Sequence, residues 1–130
     1  MPVFRTLAST AGRNRFNGEV LHTVRCVVNV EIRYFDGCPN WRIVAALVRR
    51  LLAETQTEAD VRLMPVETPG DAERLAFRGS PTVLLNGTDP WENPDTPVGL
   101  SCRVYRTELG YAGSPSESQL REAIQAAKDT

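Results

Sequence analysis

Histidine and cysteine are scarce in this chain. The lone histidine, His22, excludes a histidine-built zinc site and argues against a Cys-His nucleophile pair, because it lies outside the region where the motifs fall. Cys26, Cys38 and Cys102 are too few and too scattered for a disulfide scaffold, and an odd count suits a reducing, cytoplasmic setting. Charge of one sign is missing as well. Fifteen basic against sixteen acidic residues leave a net charge of −1, so no basic field draws nucleic acid or anionic lipid. Apolar runs are only a few residues long, which excludes a transmembrane helix. Arg5, Arg13 and Arg15 are followed by no apolar stretch, so no secretory signal is expected. No repeat, phosphate-binding glycine loop, Ser-His-Asp set or paired catalytic carboxylates can be made out, and neither metal nor cofactor is called for.

What is present is the material of one ordinary domain. The 130 residues are 42% apolar and 24% charged, enough for a single core without staples. Residues 1–18 lack periodicity and read as a mobile extension; the domain proper is expected over 19–130. Val28, Val30, Ile32 and Tyr34 alternate with Asn29, Glu31 and Arg33, the pattern of a half-buried strand. Residues 39–54 carry Val44, Leu47, Val48, Leu51 and Leu52 on one helical face.

Ala59–Val66 reads as the second strand. Thr68-Pro69-Gly70-Asp71 opens a short helix, with Gly79 as the expected stop. Pro81–Leu85 and Arg103–Thr107 are the third and fourth strands. The Pro- and Asp-rich stretch Asn86–Ser101 between them is a long loop containing Trp91. Ser114-Pro115-Ser116-Glu117 opens a last helix with Leu120, Ile124 and Ala127 on its apolar face. The order is βαβαββα, an α/β class with a four-stranded mixed sheet flanked by helices.

Cys38 is the first candidate for chemistry. It sits in a Gly37-Cys38-Pro39 turn at a helix start, where unpaired N–H groups and the helix dipole favour thiolate, so its pKa is expected below the free value of about 8.5. The turn is expected to hold the sulfur outward; the blander alternative is a small buried core residue. Cys26, in an apolar strand-like context, reads as buried and inert.

Cys38-Pro39-Asn40-Trp41 resembles the thioredoxin and glutaredoxin Cys-x-x-Cys motif with Trp41 in place of the second cysteine, and Ser80-Pro81 resembles that superfamily's cis-proline. The match spans about residues 28–127. It implies a thioredoxin-like three-layer fold, Cys38 as nucleophile, and a substrate groove made by Ser80, Pro81 and Trp41, with Ser80 offering its backbone to a bound thiol or peptide. Without a cysteine at position 41, the resemblance implies a monothiol route with a small thiol or a protein thiol or disulfide as partner. It also allows a distant resolving cysteine, or a binding module that has lost redox chemistry.

Cys102 is the candidate resolver. At the start of an ordinary fourth strand it would lie at the pole opposite Cys38, unless the long loop brings it back within the ~7 Å Cα separation that a bridge needs. Gly99-Leu100-Ser101-Cys102-Arg103-Val104-Tyr105-Arg106 is similar to small bacterial thioredoxin-fold proteins labelled alkylmercury lyase-like. That likeness would imply Cys38 and Cys102 as thiolates for a soft metal, with Asp36, Asp89 or Asp95 as acid. Arg103 and Arg106 are further candidates for meeting the carboxylates of a small thiol, although strand arginines are usually solvated.

Overall fold

Alternating apolar residues build the centre of the molecule. The computed structural model describes residues 27–129, so the expectations for residues 1–18, His22 and Cys26 lie outside the described residues. Strand β1 (Val28–Tyr34) buries Val28, Val30 and Ile32 and turns Asn29, Glu31 and Arg33 to its other face. A turn leads to helix α1 (Asn40–Glu54), then β2 (Ala59–Pro65), α2 (Pro69–Leu75) and β3 (Thr82–Leu85). Strands β4 (Tyr105–Thr107) and β5 (Gly110–Ala112) and helix α3 (Glu117–Lys128) complete the described residues. They form a mixed α/β fold of three helices, a three-stranded mixed sheet and a separate two-stranded sheet.

The larger sheet has the order β2-β1-β3. Strand β2 runs parallel to β1, as a crossover through α1 requires, with Val30 opposite Val61. Strand β3 is antiparallel, with Val30 opposite Leu85 and Ile32 opposite Val83. One face is covered by α1 and α3, whose Val44, Val48, Leu51, Leu120 and Ile124 close a core with the β1 and β3 side chains. Each such side chain contributes about 1.5–3 kcal/mol through burial. On the far face a smaller cluster gathers Val66, Ala72 and Phe77 with Leu75 and Leu100. There Arg33 donates to the Leu75 carbonyl at the end of α2.

Most element positions follow the periodicity, and the exceptions have physical causes. Helix α2 opens as expected, the Thr68 hydroxyl accepting from Asp71 N at 3.0 Å with Pro69 in its first turn. It stops early, however, on Ala76 in the left-handed region rather than at Gly79. The capping box of α3 is built by Ser116 and Gln119, two residues beyond the expected Ser114, because the Gln119 amide reaches back to the Ser116 N–H.

The main difference concerns the fourth strand. It does not extend the central sheet; Tyr105–Thr107 pairs instead with Gly110–Ala112, a strand the periodicity did not announce. The cause lies just upstream, where Ser101–Arg103 meets Ser80 in a parallel bridge. A chain arriving parallel to β3 cannot continue antiparallel along it. The Asn86–Ser101 segment contains no helix or strand, as its prolines suggested.

Candidate functional site

The site forms where three chain segments meet: the β1–α1 turn, the approach to β3, and the residues following the long loop. Phe35 O accepts from Cys38 N at 2.9 Å, closing the turn. A Cβ at Gly37 would lie 2.8 Å from the Phe35 ring, so a larger residue there would displace that ring. Pro39 is the residue before the helix rather than its first residue, so Cys38 stands one position further out than a cap.

Ser80–Pro81 is cis, as an X-Pro step leading into an apolar strand suggested. Here the structure brings together residues that the sequence left apart. Ser80 N donates to Ser101 O, and Arg103 N donates to Ser80 O, both at 2.8 Å. That bridge carries Cys102 to Cys38. Cys102 is the bridge partner of Ser80, and Cys38 Sγ lies against the Ser80 carbonyl, so the two free cysteines are neighbours. Cys38 holds the Cys102 thiol above its ordinary pKa, and desolvation adds to the effect. The Cys38 Sγ in turn lies 3.5 Å from the Ser80 carbonyl as a donor.

Two expectations are corrected by this geometry. The Cys38 thiol does not face outward: it is fully buried, while Cys102 is the exposed member of the pair. The Ser80 backbone is not open to a bound peptide, because the chain's own residues 101–103 have taken both its N–H and its C=O. Trp41, expected in the groove, is stacked on Tyr34, with ring centroids 4.1 Å apart. Two buried polar atoms of the site, Ser80 Oγ and Trp41 Nε1, have no hydrogen-bond partner among the described residues.

The segment carrying Cys102 is held by Arg103. Its side chain is buried and pairs with Asp89 at 2.7 Å. It also donates to Trp91 O and Thr82 Oγ1 and lies 4.5 Å from the centre of the Tyr105 ring. Tyr105 is buried beside it and donates to Pro81 O, and desolvation pushes its phenol well above the ordinary tyrosine range. Gly79 completes the fit: with φ of +119°, its added Cβ would approach Arg103 Cα at 3.1 Å. Arg103 is therefore a strut and not a solvated strand arginine. Trp91 is the loop's anchor, set edge-on against Tyr105 with a centroid distance of 5.8 Å.

Neither the strut nor the Ser80–Cys102 bridge has a local sequence signature. The available hint was the pairing of a long Asp-rich loop with an arginine directly after a cysteine. Of the carboxyl groups weighed as acids, Asp89 is committed to Arg103, while Asp36 and Asp95 are exposed. Among the described residues, no group of three or more His, Cys, Asp or Glu side chains is placed to hold a metal ion. No described helix is long and apolar enough to cross a membrane.

Compared with known proteins, the chain matches no family model. No curated protein matches it either.

Proposed function

We propose that this chain is a thioredoxin-like thiol–disulfide exchange protein that works through Cys38 and Cys102 as a pair. The observation that carries the reading is that both thiols meet at Ser80 beside the cis Ser80–Pro81 bond: Cys38 Sγ lies 3.5 Å from Ser80 O, and Cys102 is the bridge partner of Ser80. In the thioredoxin-like arrangement the second thiol comes from the same helix; here position 41 is Trp41, and the partner thiol arrives from the segment after the long loop. The monothiol route inferred from the sequence thus becomes a two-thiol route.

The reaction needs no cofactor. One thiolate of the pair attacks an external disulfide, forming a mixed disulfide and releasing the first external thiolate. The second thiolate then attacks the bonded sulfur, releasing the second external thiol and closing a Cys38–Cys102 bridge. Two electrons pass from the pair to the external disulfide, and the two thiol protons end on its products. A pair already held side by side at Ser80 lowers the cost of approach before substrate arrives.

The test is a redox titration of the Cys26→Ser chain against a small disulfide and its thiol, followed by peptide mapping. One internal bridge, between Cys38 and Cys102, is expected, and either Cys38→Ser or Cys102→Ser should abolish it. A chain whose two cysteines stay reduced in excess disulfide would overturn the reading in favour of a binding module.

A further inference from the structure

The Ser80 edge, filled by the chain itself, moves the place where a partner can pair. Ser101–Arg103 is extended, and alternate backbone groups of an extended chain point to opposite sides. With Ser101 O and Arg103 N turned to Ser80, the Cys102 N–H and C=O face the other way, and neither has a partner among the described residues. The side chains alternate likewise. Arg103 and Tyr105 are buried, while Cys102, Val104 and Arg106 are exposed, Val104 by 66%. Across the β4–β5 pair, Tyr111 stands directly opposite Arg106 and is 75% exposed, and Leu109 at the tip is 91% exposed. An exposed thiol therefore heads a row of apolar side chains along a backbone edge that is open at Cys102 and Val104 and closed at Arg106, whose carbonyl accepts from Gln119 Nε2. The row includes Arg106, a guanidinium with no carboxylate partner among the described residues.

We infer that the Cys102–Val104 edge binds an extended segment of a partner polypeptide carrying a cysteine, added as a strand, and that this cysteine exchanges at Cys102 before Cys38. The inference rests on the exchange reading above and names its partner. A small thiol has no use for a strand edge or for the Val104–Tyr111 row. An extended peptide satisfies the Cys102 backbone, covers Val104 and Tyr111, and sets an acidic side chain against Arg106. The order of attack follows from exposure. When the pair is oxidised, the partner's thiolate attacks Cys102 Sγ, the exposed sulfur. A new bond forms between the partner sulfur and Cys102, the Cys38–Cys102 bond breaks, and Cys38 leaves with the electron pair. A second thiolate of the partner then attacks the partner sulfur of the mixed disulfide, leaving the partner oxidised and the pair reduced.

The experiment uses the full Cys26→Ser chain, oxidised with excess small disulfide, and three reductants. These are 2-mercaptoethanol, a synthetic Val/Thr peptide with one central cysteine and one glutamate, and the same peptide with proline on both sides of the cysteine. The extended peptide should reduce the chain faster than the other two, with its adduct mapped to Cys102. Val104→Asp, a change at an exposed position that leaves the fold intact by circular dichroism, should cut the ratio of peptide rate to mercaptoethanol rate about tenfold. An adduct on Cys38, an unchanged ratio, equal rates for the two peptides, or a Cys102-linked dimer of the chain as main product would overturn the docking inference while leaving the exchange reading standing. Failure of all three thiols to reduce the chain would overturn the exchange reading, and the docking inference with it.

Discussion

The two ends of β3 are held by different physics. Beyond Val83 the strand joins an apolar core in which Val30, Ile32, Val48, Leu51, Leu120 and Ile124 interlock between one sheet face and two helices. At its start, Ser80, Pro81 and Thr82 are tied to the Cys102–Tyr105 segment by backbone hydrogen bonds, a buried guanidinium and a buried phenol. The first region tolerates changes that keep its volume, because hydrophobic burial has no direction. The second does not, because each buried polar atom needs its own partner. The scaffold can therefore be strong without being exact, whereas the thiol pair depends on directional bonds to stay in register.

The largest effect expected from breaking this contrast is at Asp89. Asp89→Ala leaves the Arg103 guanidinium buried without its carboxylate, a loss of about 3–5 kcal/mol, measurable by urea denaturation. It should also lower the fraction of Cys38–Cys102 bridge at a fixed redox potential, because the residue next to Cys102 loses its anchor. Tyr105→Phe removes the donor to Pro81 O and should cost about 1–3 kcal/mol, again weakening the bridge along with stability. Ile32→Val is the contrasting change: about 0.5–1.5 kcal/mol of stability is lost, with the bridge equilibrium of the folded chain unchanged. An equal shift of that equilibrium by Ile32→Val would erase the distinction between the two regions.

Two pH measurements sharpen it further. The folded Tyr105 phenol is raised by desolvation, so its stabilising contribution is full below the unfolded tyrosine pKa of about 10 and declines as pH rises above it. Stability should therefore fall at alkaline pH in the native chain and fall less in Tyr105→Phe. The smallest effect concerns Cys102 itself. Because its thiol is raised chiefly by the neighbouring Cys38, Cys38→Ala should bring its titration down toward the ordinary range. Alkylation of Cys102 near neutral pH should then speed up. A rate that stays the same or falls would show that burial, not Cys38, sets its proton affinity.

The first region was legible from the chain alone and the second was not. The β1 residues Val28, Val30 and Ile32 announce their face by period two, and Val44, Val48 and Leu51 announce theirs by helical spacing. Both patterns are local, so no knowledge of the rest of the molecule is required to read them. The cis Ser80–Pro81 bond was expected from the resemblance to the thioredoxin superfamily, since an X-Pro step permits a cis bond without requiring one. The exposure of Cys38 was misread because a turn indicates where a thiol begins, not what folds over it.

The sequence by itself determined the strands and helices that make the core, the thiol before α1 and the proline before β3, because each follows from spacing within a few residues. Only the tertiary structure decided that Cys102 meets Cys38, that Ser80 is already paired, and that β4 leaves the central sheet. Those outcomes depend on Arg103 finding Asp89 across the intervening loop and on a parallel bridge at Ser80. Burial and pairing between distant segments carry no period along the chain.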